Sequence, residues 1–240
     1  MIDFQNPNLP DRGTVLICDK SVSLSEKFEH FIPTVSISAL PKSMRYHTDL
    51  QILYMGKGVF LSSPETYDYY RENLAPFGAK VIRGEKNVGS TYGEDCAYNI
   101  LMMGKYAFHN TKFTPKIAKD YFEKNNIKLI HVSQGYTKCA VAPISENAAI
   151  TADVSIKKAM DEIGIDCLLI EWEGVSLPGF SYGFFGGCSG RISNNEFFVC
   201  GTLKNHPSVD KIKSFLEKQD MVLIEMDDDV LRDIGSFIIA

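Results

Sequence analysis

The sequence predicts an α/β fold built from five copies of one unit, strand–strand–helix–strand, arranged as a radial array. Three observations support this prediction. Four segments with a small or polar opening residue recur at spacings of 49, 43 and 49 residues. Each segment runs into two short strands, and a helix-start signal follows them. Each helix then leads into a closing apolar strand. A doubly wound sheet also alternates strands and helices, but it has no reason to repeat a paired-strand opening in every unit.

Each complete unit opens with a hairpin-like stretch. The opening residues are His47, Cys96, Cys139 and Cys188. The second strand of each opening is short and apolar, and these strands cover residues 59–61, 107–108, 149–151 and 197–199. Short apolar runs bounded by turn residues are typical of strands. We therefore assign two strands to every opening.

A helix and a closing strand follow each opening. Proline stands at the first helical position at Pro64, Pro115 and Pro207, where its missing N–H costs nothing. In the remaining unit Asp153 is expected to cap the helix instead. The apolar residues that follow have helical spacing, for example Ile156, Met160 and Ile163. The closing strands are predicted at residues 80–82, 128–132, 167–170 and 221–224.

The N-terminal residues supply most of a fifth unit. Its strands are expected at residues 14–18 and 34–38, on either side of a helix face formed by Leu24, Phe28 and Phe31. This unit has no opening strand, whereas the apolar residues 236–240 are a strand without a unit. We expect them to pair beside the first strand, because closed architectures remove open sheet edges, and the charged residues 227–233 to be the linker. The prediction is a single domain over residues 1–240, with units at 13–40 plus 236–240, 45–83, 95–133, 138–171 and 187–225.

Composition excludes several classes of function. The 240 residues are 45% hydrophobic, and 25 Lys and Arg stand against 30 Asp and Glu, a net charge of −5. Such a surface is unsuited to nucleic acid, which needs clustered basic residues. No run of 18 apolar residues predicts a membrane span, and the first residues do not have the pattern of a signal peptide. Six dispersed cysteines favour reduced thiols, so we expect a cytoplasmic protein without nucleic-acid or membrane partners.

Five strand–strand–helix–strand units in one chain resemble the pentein fold, the five-bladed α/β-propeller. The resemblance covers the sequence from about Thr14 to Ala240. The fold is shared by guanidino-group-modifying enzymes (arginine and agmatine deiminases, dimethylargininases and amidinotransferases) and by ribosome anti-association factors, which have no catalytic site. Residues 46–51, 134–139 and 178–187 are also similar to an uncharacterised clostridial family of penteins.

The resemblance to the enzymes implies a catalytic site. In these enzymes a cysteine thiolate attacks the guanidinium carbon, the histidine of a His-x-Asp pair moves protons, and carboxylates hold the planar cation. His47-Thr48-Asp49 matches the His-x-Asp pair, and Cys188 lies in the last unit, where the nucleophile is expected. Three features depart from the enzymes: no histidine precedes Cys188, His47 lies early in the chain, and no extra carboxylate is evident in the glycine-rich residues before Cys188. The resemblance thus implies Cys188, His47 and Asp49 as catalytic residues.

Equivalent positions of a closed ring converge on its axis, so the opening residues should meet in a central channel. Cys96, Cys139 and Asn99 are therefore candidate substrate-binding residues. The glycine-rich segment 178–190 combines glycines with aromatic residues, and we expect it to form a channel wall that accepts a planar or cationic ligand, with Tyr182 and Ser189 among the contacts.

Simpler interpretations of these residues stay open. The cysteines could be small apolar residues packed between units, and His47 and Asp49 could form a local hydrogen-bonded turn. Three cysteines and a histidine could also bind zinc, but no Cys-x₂-Cys spacing supports a metal site, and we expect neither a metal nor another cofactor.

Two functions follow from the sequence. The first is a cysteine-dependent hydrolase or transferase that acts on a guanidino or related small cationic compound in the central channel. The alternative is a non-catalytic pentein that binds a macromolecular partner. The sequence does not predict an oligomeric state.

Overall fold

Five three-stranded sheets with one shared topology dominate the computed structural model, which describes residues 2–227 and 229–240. In each sheet the middle strand is antiparallel to one neighbour and parallel to the other. The strands are β1 (Val15–Cys18), β2 (His30–Pro33), β3 (Ile52–Tyr54), β4 (Val59–Ser62), β5 (Lys80–Arg83), β6 (Leu101–Met103), β7 (Tyr106–His109), β8 (Lys128–His131), β9 (Val141–Ser145), β10 (Ala148–Thr151), β11 (Asp166–Leu169), β12 (Val175–Ser176), β13 (Ser189–Arg191), β14 (Glu196–Val199), β15 (Val222–Glu225), β16 (Leu231–Arg232) and β17 (Ile238–Ile239).

Four of the sheets follow the predicted unit. Their strand orders are β3-β4-β5, β6-β7-β8, β9-β10-β11 and β13-β14-β15, and an α-helix connects the second strand to the third. The middle strands are almost entirely buried, as expected for continuous apolar runs. The third strands are partly exposed, and all four have a charged residue at an exposed end, which discourages pairing with another chain.

The helices begin close to the predicted positions. They are α1 (Tyr67–Leu74), α2 (Lys116–Lys124), α3 (Thr137–Ala140), α4 (Val154–Asp161) and α5 (Val209–Lys218), together with 3₁₀ turns at Ser23–Lys27, Thr48–Leu50 and Ala75–Phe77. Asp153 caps α4 as predicted, since its carboxylate accepts the N–H groups of Ser155 and Ile156. The helices α1, α2 and α5 begin one to three residues after their prolines rather than at them.

The first sheet departs from the predicted unit. Instead of an α-helix, the connection contains the 3₁₀ turn Ser23–Lys27, and the closing strand is His30–Pro33 rather than residues 34–38. The connection from Cys18 to His30 is shorter than those that contain the long helices, so Phe28 precedes β2 and Phe31 lies within it.

The last strand completes this first sheet. β17 pairs antiparallel with β1, with Leu16 opposite Ile239 and Ile17 opposite Ile238, which is the pairing the sequence predicts. The residues before β17 differ from the predicted charged linker, because β16 pairs in parallel with β12 and Asp233 is buried. Asp228, part of that predicted linker, lies outside the described residues.

The opening strands of neighbouring sheets lie close together. β9 contacts both β6 and β13, and the short helix α3 contacts β6 as well as β9. The residues directly before these strands are therefore brought near one another. Within the described ranges, no helix is both long enough and apolar enough to span a bilayer.

Candidate functional site

A thiol, an imidazole and a carboxylate meet where the second and fourth sheets open. One ligand atom each from His47, Asp49 and Cys139 lies within 4.8 Å of the others, and all three residues are buried. His47 precedes the 3₁₀ turn Thr48–Leu50, which contains Asp49 and leads towards β3. Cys139 lies in α3, directly before β9. The His-x-Asp pair expected from the sequence is therefore assembled with a cysteine.

The turn before β17 holds the His-x-Asp segment in place. The Asp49 N–H donates a hydrogen bond of 3.2 Å to the carbonyl oxygen of Gly235. Gly235 has a φ of +70°, and a Cβ at this position would lie 2.2 Å from Cγ of His47. Only glycine combines this backbone conformation with so close an approach.

Asn99 fixes the cysteine. Its Oδ1 accepts the N–H groups of Lys138 at 2.8 Å and Cys139 at 3.1 Å, and its Nδ2 donates to the Cys139 sulfur at 3.2 Å. The Cys139 thiol in turn donates to Oδ2 of Asp49 at 2.7 Å. The amide predicted to bind substrate thus orients the helix that carries the thiol.

Two polar atoms of the cluster have no partner within the described chain. Nε2 of His47 and Oδ1 of Asp49 are both buried and make no hydrogen bond. A buried polar group without a partner costs about 1–3 kcal/mol. Such atoms are available to a ligand or to a proton in transit.

A buried lysine lies beside the cluster. Lys138 is 7% exposed, and its ammonium donates a 2.5 Å hydrogen bond to the Ser236 hydroxyl and lies 5.9 Å from the centre of the Phe237 ring. Ser236 has a φ of +60°, which is uncommon for serine. The turn that positions His47 therefore also binds the lysine next to Cys139.

Burial shifts the pKa of every group in the cluster. It raises the pKa of Asp49 to about 8 and lowers the pKa of Lys138 to about 8. Burial, together with the negative charges of Asp49 and Asp233, raises the pKa of the Cys139 thiol well above its usual value. Burial also lowers the pKa of His47. At neutral pH the cluster therefore holds a protonated thiol and a neutral imidazole.

A cavity of about 250 Å³, the inner cavity, reaches this cluster. His47, Cys139 and Asp233 line one part of it, and the rest is largely aromatic and aliphatic. The aromatic lining residues are Tyr136, Phe180, Tyr182 and Phe184. Three of them come from the glycine-rich segment predicted as a channel wall. The volume and the mixed lining suit a small organic ligand.

Asp233 was not identified in the sequence as a site residue. It is buried, and its carboxylate accepts the N–H groups of Phe184 at 2.8 Å and Gly235 at 2.9 Å. It thereby connects the aromatic wall to the turn that supports His47. Its position among the acidic residues 225–233 resembles a solvated linker, so only the fold reveals this role.

The other predicted site residues lie elsewhere. The Cys188 thiol donates to the carbonyl oxygen of Phe185 at 3.1 Å within the hydrophobic core, and the Ser189 hydroxyl donates to the same oxygen at 2.6 Å. Cys96 is buried against Gly135, where a Cβ would lie 2.6 Å from its sulfur. None of Cys188, Ser189 and Cys96 lines the inner cavity, whereas Tyr182 does.

Solved structures with a similar fold are guanidino-modifying enzymes of the pentein superfamily. An inosamine-phosphate amidinotransferase from Streptomyces griseus matches with a TM-score of 0.60 at 10% identity, over 98% of this chain and 95% of that chain. DDAH from Pseudomonas aeruginosa, in complex with citrulline, gives 0.57 at 12% identity, over 90% and 93%. An agmatine deiminase from C. jejuni gives 0.56 at 10%, over 93% and 90%.

At these identities the likeness shows a shared α/β fold, and it confirms the predicted resemblance to penteins. The narrower similarity to a clostridial family stays a prediction. Among curated proteins, none shows significant similarity to the chain. Residues 18–238 match the model of a family of unknown function, DUF6873, and the chain belongs to that family.

Proposed function

We propose that this protein is a cysteine-dependent hydrolase or transferase that acts on a guanidino or related small cationic compound. The observation that carries the proposal is the meeting of Cys139, His47 and Asp49 beside an aromatic cavity. Aromatic faces and carboxylates are the groups that bind planar cations. The shared fold with guanidino-modifying enzymes supports the same class of substrate.

The proposal includes the arrangement of the sheets. The five three-stranded sheets are blades of a five-bladed α/β-propeller that forms one domain over residues 1–240, and the inner cavity is its central channel. Three observations support this arrangement: the shared sheet topology, the pairing of β17 with β1, and the contacts of β9 with β6 and β13.

The nucleophile in this proposal is Cys139 rather than Cys188. The Cys139 sulfur lies 2.7 Å from an oxygen of Asp49 and borders the inner cavity. The Cys188 thiol donates a hydrogen bond to a backbone carbonyl oxygen in the hydrophobic core. A nucleophile must reach its substrate, and of these two cysteines Cys139 is the one that lines the cavity.

The reaction begins when the cation binds. A positive charge beside the cluster lowers the pKa of Asp49 and Cys139 and so favours their ionised forms. The thiol proton passes to the unpartnered Nε2 of His47 while the sulfur attacks the central carbon and forms a C–S bond. The C–N bond to the leaving amine then breaks, and that nitrogen takes the proton from His47. Water, or an acceptor amine in a transferase, attacks the same carbon and breaks the C–S bond, and the thiol regains a proton.

Binding of a cation without turnover is the second candidate. It is favoured by the burial of Cys139 and by the raised pKa of its thiol, because a protonated thiol is a poor nucleophile. In that case Asp49, Asp233 and the aromatic wall hold the ligand, and the thiol only completes the packing.

Release of ammonia or urea from a panel of guanidino compounds tests the proposal. We expect the wild-type protein to release one of them, Cys139→Ser to lose at least about 100-fold in rate, and Cys188→Ala to keep the activity. Turnover by Cys139→Ser at the wild-type rate would rule out the assigned nucleophile. Binding measured by calorimetry without release of either product would favour the second candidate.

A further inference from the structure

A second cavity, the outer cavity, adjoins the inner one. Its volume is about 170 Å³, and it is lined in part by Ala140, Asp153, Glu171, Trp172 and Tyr182. Cys139 lines the inner cavity, and the next residue, Ala140, lines the outer one. Two adjacent residues of α3 therefore line the two cavities. Tyr182 and Phe184 line both cavities. A ligand seated at Cys139 can therefore extend over these residues into the outer cavity.

The outer cavity presents aromatic faces that the core does not use. Trp172 is 50% exposed and Tyr182 is 43% exposed. Their ring centres are 5.0 Å apart, and the ring planes meet at 57°. The Tyr182 ring then stands edge-on to Phe184, with centres 5.9 Å apart. Two tilted, exposed rings beside a cavity form a surface on which a cation or a planar group can lie.

The carboxylates that line the two cavities outnumber the basic side chains that line them. Asp153 and Glu171 line the outer cavity, and Asp233 lines the inner one. Among the described residues that line either cavity, His47 is the single basic side chain. Asp153 is already engaged by the start of α4 and by Gln134, whereas the Glu171 carboxylate makes no hydrogen bond or ion pair within the described chain. Glu171 is thus the carboxylate best placed to meet a ligand charge.

We propose that the outer cavity binds a second cationic group, so that the substrate is an elongated dication. The guanidino head lies at Cys139, and an ammonium or second guanidinium lies on Trp172 and Tyr182 beside Glu171. The identity of the head group rests on the proposed function, whereas the second cationic site rests on the outer cavity itself. A substrate that ends in a carboxylate would meet Asp153 and Glu171 without a basic partner, so this site discriminates against amino acids.

The chain supplies its own probe, because Trp172 is its only tryptophan. Its fluorescence therefore reports on the outer cavity alone. We would titrate linear aminoalkylguanidines, guanidinoalkanoates of the same lengths, and uncharged-tail alkylguanidines. We expect the aminoalkylguanidines to change the Trp172 emission and to bind about tenfold more tightly than the alkylguanidines, with the guanidinoalkanoates weakest.

Variants test whether the outer cavity causes the preference for aminoalkylguanidines. Calorimetry replaces fluorescence here, because one variant removes the tryptophan. Glu171→Gln and Trp172→Leu should each remove most of the tenfold preference for aminoalkylguanidines over alkylguanidines. Glu123→Gln removes the same charge from the exposed face of α2, outside both cavities, and should keep the full preference. Equal affinity for the three compound series, or a preference that survives in both variants, would overturn the proposal.

The same measurements separate the two proposals. In Cys139→Ser the dication preference is measured without turnover. Preference without turnover in the wild-type protein would leave the outer site in place and reject the enzyme. Turnover of alkylguanidines without preference for dications would keep the enzyme and reject the outer site.

Discussion

Asp49 is a carboxyl group that the fold keeps away from water. Burial raises its pKa to about 8, whereas an unfolded chain returns it to about 4. The folded protein therefore binds more protons than the unfolded chain between these two values, and its stability must fall as the pH rises through that window. A buried carboxyl is retained at this position at the expense of stability, as is common for groups that act on a substrate.

Replacing Asp49 makes this cost visible. As the pH rises from about 4 to about 8, we expect the free energy of unfolding of Asp49→Asn to increase relative to that of the wild-type protein. The increase should be up to roughly 1.4 kcal/mol per pH unit. Urea denaturation at a series of pH values measures the difference. Asp210→Asn, an exposed carboxylate on α5, serves as the control and should follow the wild-type profile. A constant difference between Asp49→Asn and wild type would show that Asp49 ionises normally.

At the scale of elements, the turn before β17 supports both the His47 side and the Cys139 side of the cluster. Gly235 and Ser236 contact His47 and Lys138, and Asp233 connects the turn to the aromatic wall. Both Gly235 and Ser236 have positive φ values. This conformation is sparsely populated by residues with side chains, and proteins retain it mainly where the surrounding structure requires it.

A matched pair of glycines tests the support. Gly235→Ala and Gly164→Ala both place a side chain at a positive φ, but nothing lies within 4 Å of a Cβ at Gly164. Gly164→Ala should therefore cost only about 1 kcal/mol, whereas Gly235→Ala adds a collision with His47 and should cost more. We expect Gly235→Ala also to lose ligand binding in the inner cavity. Equal unfolding free energies and unchanged binding in both variants would contradict the assigned support.

The pairing of β17 gives the second prediction at this scale. Ile238 and Ile239 are buried, and each large buried side chain contributes about 1.5–3 kcal/mol. Deletion of residues 236–240 should therefore lower the stability by several kcal/mol, and Ile239→Ala alone should lower it by about 2–5 kcal/mol. Thermal unfolding measures both, with the exposed Val154→Ala as the control. An unchanged melting temperature after the deletion would contradict the pairing.

The elements were largely predictable because their signals are local. All four closing strands begin and end within one residue of their predicted bounds, since each is a short apolar run that follows a helix. The helix and the closing strand of the first sheet were not predicted correctly. The connection in this sheet is too short for an α-helix, and the local spacing of apolar residues does not show how long a connection is. His47 and Asp49 were found because His47-Thr48-Asp49 matches the His-x-Asp pair of the enzymes that the sequence resembles.

The sequence did not show which cysteine lies beside His47 and Asp49. Cys139 and Cys188 open equivalent units, and nothing local distinguishes them. Their difference lies in distant partners: Asn99 and Asp49 for Cys139, and the core around Phe185 for Cys188. Asp233 was hidden for the same reason, because its burial depends on the pairing of β16 with β12.

At the scale of the whole molecule, the sequence tolerates wide change while the fold persists. Structures that share only 10–12% of their residues with this chain cover nine-tenths or more of it. What they share is the fold, and the buried strands of such a fold can be formed by many apolar residues. In the proposed function, the chemistry depends instead on a few side chains in the segments before the opening strands.

The pairing of β1 with β17 also determines when the first sheet can be completed during synthesis. β1 is synthesised before its antiparallel neighbour, and β2 to β16 are all made between the two. The turn that holds His47 and Lys138 belongs to the same late segment. A nascent chain can form its middle sheets as they emerge, yet it has neither a finished first sheet nor an assembled thiol site. The contacts that hold His47, Asp49 and Lys138 in place therefore form only after residues 235 and 236 have been synthesised.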